Sequence, residues 1–389
     1  MISEVAGVVF ANGPVQNGEF TLAERPGKVA GIRIAAAMNQ LLGAEPTPQL
    51  WNTVTLAGDL RHRALQENSA AHRPPIHGVW AAYGQVERGV FERQLVAAKY
   101  PVGAVPHVWT DVDEPVVATA LAMVEHGLAV GDLVVETIEV RLCASCGHLA
   151  GLADRPCRAC GHQVTRSERA RHLLARRRPG AELVDAGDFH AHARRAPAHL
   201  LSLAANAPEV LLLSRTRDHG IGLEPLGLPG LVLDPRAGLH AAVLAVAAER
   251  GGPELVVMTT TENAAANIAA YGACFRAHLG IRLRYGLHGR IPYEQVGTLD
   301  PLYRALDMDA AARERFEDWF LPLASWHHKN NIDSGQLPAL LRLFHRARSA
   351  PGAVASDELA TLRAQIIAGD TRWLTDKRLL AAAVRGSAE

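Results

Sequence analysis

Residues 143–162 constrain this chain more than any other stretch. They read Cys143-Ala-Ser-Cys146-Gly-His148 and then Cys157-Arg-Ala-Cys160-Gly-His162. Each C-x-x-C-G turn aims two thiolates at one point, and two such knuckles close a tetrahedral Zn²⁺ site with no open position. The glycine after each second cysteine allows the tight turn and lets backbone N–H groups face sulfur. Cys143, Cys146, Cys157 and Cys160 are therefore expected to hold one structural zinc ion; two disulfides or free thiols are the alternative. Cys274 reads as a small core residue.

On both sides of the knuckles the texture is that of a parallel sheet. Val5–Phe10 predicts a strand ended by Asn12-Gly13-Pro14. Lys28–Leu42 predicts a helix with Gly43 as its cap, and Leu50–Leu56 a second strand. Strand, helix, strand at this spacing is a βαβ unit. A helix over 114–130 closes at Gly131, and Glu136–Leu142 alternates like a half-exposed strand. Arg166–Arg178 reads as a basic helix and Ala191–Ala205 as an Ala/Leu-rich one. The βαβ texture then returns: strands at Val210–Ser214, Glu254–Thr260 and Ile281–Leu287, helices at Leu239–Arg250 and Glu262–Leu279. From Leu302 onward only helical periodicity remains. The expected fold is α/β: a Rossmann-like parallel sheet with an inserted zinc-knuckle segment and a short C-terminal helical region. The expected units are residues 1–112 and 207–300 for the two sheet halves, 113–206 for the insertion and 301–389 for the helical region.

Composition excludes some classes of function. Forty Lys+Arg against forty Asp+Glu leave no net charge, which argues against a polybasic nucleic-acid binder. With 48% hydrophobic and 21% charged residues the chain is no disordered tail. No run is long and apolar enough to span a membrane, and the first residues lack a signal peptide's layout, so a cytoplasmic protein is expected.

The first strand runs into Phe10-Ala11-Asn12-Gly13-Pro14-Val15-Gln16-Asn17-Gly18-Glu19. This segment resembles class I aminoacyl-tRNA synthetases of the methionyl type, whose first strand enters Tyr-Ala-Asn-Gly-x-x-His-x-Gly-His. The knuckles fall where that family has its connective insertion. Leu213-Ser214-Arg215 with His219-Gly220-Ile221 is similar to its Ser-Arg…Trp-Gly-x-Pro segment. Thr261-Glu262-Asn263 is similar to its ribose-holding Gly-Lys-Asp, and His288-Gly289 to the strand before its second ATP motif. The resemblance covers roughly residues 3–300. It implies ATP contacts at Asn12, Gln16, Gly18, Glu19, Glu262 and Asn263, and an amino-acid pocket at Phe10, Ala11, Asp59 and Arg215, with Mg²⁺ accompanying ATP. Asp59 either pairs with the amino acid's ammonium group or caps a helix. Arg215 either takes a carboxylate or phosphate or forms a structural ion pair.

Departures from the pattern bear on the chemistry. Gln16 and Glu19 replace both histidines of the first motif, while Gly18 survives. Glu294-Gln295-Val296-Gly297-Thr298 carries no cation where the family has Lys-Met-Ser-Lys-Ser. Those histidines and lysines stabilise the phosphorus centre during adenylate formation. Residues 301–389 are too few for an anticodon-binding bundle. The run Arg169–Arg178 is either a solvated face or a contact to RNA phosphates, and Lys329 is one route to restoring the missing cation.

Three functions fit. One is a ligase that binds an amino acid and ATP and passes the acyl group to a small nucleophile in natural-product biosynthesis, such as an N-hydroxylated amine on a hydrazine-type pathway. The second is a binding or regulatory module that kept the fold and lost the catalysis, and the third a true methionine–tRNA ligase. The expected partners are an amino acid, a nucleotide and a pathway protein, with neither tRNA nor membrane.

Overall fold

The computed structural model describes residues 7–13, 30–51, 108–110, 113–145, 149–151, 162–176, 184, 186–190, 198–216, 220–327 and 331–386. In chain order the first elements are β1 (Val8–Asn12), α1 (Ala30–Leu42), β2 (Gln49–Trp51), β3 (Val108–Thr110) and α2 (Glu114–Val130). The next are β4 (Leu133–Cys143), β5 (Leu149–Gly151), β6 (Thr165–Arg176), β7 (Phe189–His190), α3 (Ala198–Ala205), β8 (Val210–Leu212) and β9 (Ser214–Arg215). They are followed by β10 (Val232–Leu233), α4 (Pro235–Glu249), β11 (Leu255–Thr261), α5 (Glu262–Ile268), β12 (Ala277–His278) and β13 (Ile281–His288). The rest is helical: α6 (Asp300–Ala305), α7 (Ala310–Arg315), a π-turn at Phe316–Phe320, α8 (Leu321–His327), α9 (Leu337–Arg348), α10 (Ser356–Ile367) and α11 (Lys377–Gly386).

β1, β11 and β13 run parallel, with Phe10 beside Val257 and Met258 beside Tyr285. β2 and β3 form a separate parallel pair. What joins the two sheets is the side chain of Asn12. Its Nδ2 donates to the Leu50 carbonyl at 2.8 Å, and its Oδ1 accepts from the Leu50 N–H at 3.0 Å. The amide thus replaces ladder bonds, and the strands follow the order β3-β2-β1-β11-β13. This is the doubly wound order whose direction of growth reverses between β1 and β11.

Period-two alternation divides each strand between two cores. Val9, Ala11, Val256, Met258, Leu283 and Tyr285 face the core that includes α4. Val8, Phe10, Leu255 and Val257 face α1 and the C-terminal helices. α1 buries Ile34, Ala35, Met38, Leu41 and Leu42, the three-and-four spacing that marks one helical face. It ends where Gly43 donates to the Gln40 carbonyl, and α2 ends on left-handed Gly131. α2 packs on α4 and on β4, and the antiparallel sheet begins after it, in the order β5-β4-β6-β8.

Three expectations are corrected. The strand expected at Val210–Ser214 does not join the parallel sheet: Val210–Leu212 pairs antiparallel with β6, and Ser214–Arg215 pairs antiparallel with β10. Arg166–Arg178 is no helix: residues Thr165–Arg176 pair with β4 along its whole length, from Cys143 opposite Thr165 to Leu133 opposite Ala175. Ala, Arg and Leu favour helix, but the ladder and the buried run His172–Leu174 outweigh that preference. The long helix Glu262–Leu279 is also shorter, since α5 stops at Ile268. Beyond it the Arg236 guanidinium lies 3.4 Å over the Tyr271 ring, and a side chain at Gly272 would collide with His240. The chain therefore folds against α4 instead of continuing as a rod. Cys274 sits in a short 3₁₀ turn, half-buried against the core.

Candidate functional site

In open parallel sheets ligands bind outside the carboxyl ends of the strands, at the point where strand order reverses. Here that point lies between Asn12-Gly13 and Thr259–Thr261. The Gly13 N–H donates to the Thr259 carbonyl at 2.9 Å, so the chain leaving β1 turns directly over β11. α1 comes down on the same spot. The Thr259 hydroxyl donates to the Gly31 carbonyl at 2.7 Å. A Cβ added to Gly31 would lie 3.1 Å from the Thr259 carbonyl and 3.6 Å from His288 Nε2. A side chain there would force the Thr259 carbonyl to give by a few tenths of an ångström. His288, at the end of β13, is 5% exposed and holds the Gly289 carbonyl through Nδ1 at 3.0 Å. Beyond it the C-terminal helices close the crest: Gly289 donates to the Ser325 carbonyl and Arg290 to Asn331 Oδ1.

The sequence candidates fall around this crest unevenly. Asn12, Glu262 and Asn263 stand at the reversal point. Asn12 is 2% exposed, and its amide is held by Leu50 and by the Gly13 carbonyl. Glu262 and Asn263 open α5, capped by Thr261, whose hydroxyl accepts from the Ala264 N–H. Phe10 and Ala11 are buried on opposite faces of β1, so the two side chains do not share one pocket wall. Arg215 stands apart on β9. Its Nε donates to Asp234 at 2.7 Å, and Asp234 also receives the Arg236 guanidinium. Asp234 is fully buried; burial by itself would raise its pKa, but hydrogen bonding and the charges of Arg236 and Arg215 hold the carboxyl far below its usual range. The ion pair is thus the contact Arg215 makes. Next to it Ser214 binds the Leu173 N–H and His172 Nδ1, clamping β9 to β6. Asp59, Gln16, Gly18, Glu19 and Lys329 lie outside the described residues.

Of the knuckle cysteines, Cys143 is described, and Cys146, Cys157 and Cys160 lie outside the described residues. Cys143 is the last residue of β4, buried, where the Ala144 N–H still reaches the Val164 carbonyl at 3.0 Å. The hairpin therefore places Cys143 at its open end. Among the described residues no cluster of three or more His, Cys, Asp or Glu side chains is positioned for a metal ion.

No family model matches the sequence, and no curated protein matches it. Solved structures do. A crystal structure of Mycobacterium tuberculosis methionyl-tRNA synthetase bound by methionyl-adenylate aligns over 98% of this chain and 83% of that one, with TM-score 0.51 and 13% identity. A second complex of that enzyme with methionyl-adenylate aligns with TM-score 0.52 and 15% identity over 98% and 82% of the two chains. Its apo form gives TM-score 0.51 and 14% identity over 98% and 80%. The chain has a class I synthetase-like fold.

Within that fold the sequence reading missed Arg290, whose signal was its place just after His288-Gly289. It pairs with Glu294 at 2.9 Å, so the turn that carries no cation of its own borrows one from two residues past the strand. Both partners are mostly exposed, and such a pair contributes little to stability. No described helix is long and apolar enough to cross a membrane.

Proposed function

We propose that this protein is a synthetase-like ligase that binds an amino acid and ATP at the strand crest and passes the acyl group to a small nucleophile. The observation that carries this reading is the reversal point itself, Gly13 on Thr259 beneath Gly31 of α1. It sits in a fold shared over 98% of the chain with enzymes captured with methionyl-adenylate. In the first step the amino acid's carboxylate attacks the α-phosphorus of Mg-bound ATP and pyrophosphate leaves. In the second the nucleophile attacks the acyl carbon and AMP leaves with the electrons of the mixed-anhydride bond. Asn12 fixes the floor of the crevice, Glu262 and Asn263 face the ribose, and Asp59 pairs with the ammonium group. Four thiolates, from Cys143, Cys146, Cys157 and Cys160, would hold a structural Zn²⁺ at the tip of the antiparallel sheet. The acceptor in this reading is a small amine of natural-product type, an N-hydroxylated one included. A neutral chain offers no broad surface for tRNA phosphates.

The second reading, a regulatory module without catalysis, is favoured by Gln16, Glu19 and the self-neutralised Arg290–Glu294 turn. Calorimetric titration with the twenty amino acids, with and without Mg-ATP, separates the two. Asp59→Asn is expected to weaken amino-acid binding by about a hundredfold, because an unpaired buried charge costs roughly 3–5 kcal/mol. Unchanged affinity removes Asp59 from the site. Absence of binding by the wild type supports the regulatory reading, and charging of bulk tRNA above background would replace both with the tRNA ligase.

A further inference from the structure

Resting on that reading, the structure also points to how the phosphates are held. Arg33 lies two residues beyond Gly31 in the first turn of α1, the turn whose Gly31 rests on Thr259 beside His288. Its side chain is 15% exposed. Nη2 pairs with Asp318 at 2.8 Å, Nη1 donates to the Tyr293 hydroxyl at 3.1 Å, and the guanidinium lies 5.5 Å over the Tyr293 ring. Tyr293 begins the turn that stands where the lysine-rich loop is expected.

Asp318 comes from the π-turn Phe316–Phe320, and the sequence supplies a reason for it. Pro322 has no N–H to offer the Asp318 carbonyl, and the Leu321 N–H reaches back five residues to Phe316. The Glu317 carbonyl accepts the Tyr293 hydroxyl at 3.0 Å instead. The widened turn presents Asp318 to Arg33, while the Glu317 carboxylate accepts the Tyr303 hydroxyl at 2.9 Å. Burial raises the Asp318 pKa, and the Arg33 charge offsets this without cancelling it. With 45% of its side chain exposed, Asp318 can return to water when displaced.

We propose that Arg33 is the cation that takes up the nucleotide's phosphate groups, exchanging Asp318 for them while Tyr293 keeps the guanidinium oriented. A planar guanidinium offers two parallel N–H bonds to a phosphate as readily as to a carboxylate. A triphosphate carries more charge than the single carboxylate it displaces. Asp318 acts as a placeholder that keeps a half-buried cation neutralised until the nucleotide arrives.

A merely structural pair loses stability when either partner is removed, whereas direct exchange also moves phosphate binding in opposite directions for the two partners. Binding of ATP, inorganic pyrophosphate and adenosine is titrated for wild type, Arg33→Met, Arg33→Lys and Asp318→Asn, with the melting temperature of each recorded. Arg33→Met is expected to weaken ATP and pyrophosphate binding about tenfold or more and to leave adenosine unchanged, since one charge-assisted pair is lost. Arg33→Lys should retain part of the affinity. Asp318→Asn is expected to tighten ATP and pyrophosphate about threefold or more, because the competing carboxylate is gone. If wild type binds ATP but Asp318→Asn weakens or does not change that binding, the proposal is overturned while the ligase reading stands. The same holds if Arg290→Gln abolishes phosphate binding and Arg33→Met does not. If wild type binds neither ATP nor adenosine, the ligase reading fails and this assignment fails with it.

Discussion

His240 shows how a single side chain in this interior is fixed by its neighbours. Its Nδ1 faces the Arg236 carbonyl at 2.8 Å, which only accepts, so that nitrogen carries the proton. Nε2, 2.8 Å from the Tyr285 hydroxyl, is then the acceptor. The second bond, in which Nε2 accepts, requires the neutral ring. Burial lowers the pKa from 6.5 to about 4, with Arg276 adding to the effect and the Arg236 carbonyl opposing it. Between these values the unfolded chain binds a proton that the folded chain refuses, so stability falls as pH drops from about 7 toward 4 and levels off below. The expected loss by pH 5 is about 2 kcal/mol, the larger part of the full shift at 1.36 kcal/mol per unit. Urea unfolding at pH 7.5 and pH 5, repeated on His240→Gln, isolates it: the variant starts less stable and lacks this portion of the pH dependence. An equal pH dependence in both would assign the effect elsewhere. Asn39 is a second example, its amide bonding both the N–H and the carbonyl of Phe10 and fixing α1 to β1.

At the scale of elements, the β4–β6 hairpin decides what the cysteine segment can do. The two strands pair over eleven positions and end at Cys143 opposite Thr165, so the knuckle proposed there would close the free end of a ribbon. A metal ion binding there contributes folding free energy to the loop it organises, because thiolates that are scattered when unfolded are brought together. Purified protein is expected to carry about one zinc per chain. Cys157→Ser should lower that content sharply and speed amide exchange at the Cys143 and Thr165 end of the ribbon, while β1 and β11 exchange as before. Intact thiols with less than roughly a tenth of an equivalent of zinc would defeat the assignment. The basic run looks different as a strand: Arg169 and Arg171 share a face opposite Glu139 and Thr137. They form part of a mixed ribbon surface, which suits solvent better than a helical phosphate grip would.

Across the whole molecule, the parallel sheet is covered on one side by α4, with α2 packed against α4, and on the other by α1 and the C-terminal helices. The C-terminal helices are integral to this arrangement. Trp326 of α8 is 3% exposed, meets Phe10 edge-on at 5.9 Å and occupies the space where any side chain at Gly286 would project. Trp326→Ala is expected to lower unfolding stability by about 3–5 kcal/mol, the usual cost of removing a buried Trp side chain. Because the helices and sheet share one core, tryptophan fluorescence and far-ultraviolet dichroism should report one transition in urea. Two separated transitions would show that the C-terminal helices form a unit of their own.

The sequence by itself determined the parallel strands, the crossover helices and the C-terminal helical region. Each is written as a local period with its own stop signal: Ile34, Met38, Leu41 and Gly43 for α1, and the run Leu255–Met258 for β11. It also marked the loop after β1 and the His288–Gly289 turn as the place for chemistry, through a resemblance of order and spacing. Tertiary structure decided the rest. Whether Thr165–Arg176 is helix or strand depended on a partner more than twenty residues away in the chain, and α5 ended where His240 and Arg236 needed room. Asn12 and Arg215 read equally well as ligands in the sequence, but Leu50 and Asp234 hold their polar atoms. Arg33 carried no local signal at all. Tyr293 and Asp318 reach it from the turn after β13 and from a π-turn that Pro322 permits. A residue's period along the chain is local information, whereas the partner that satisfies its charge or amide exists only once distant segments meet.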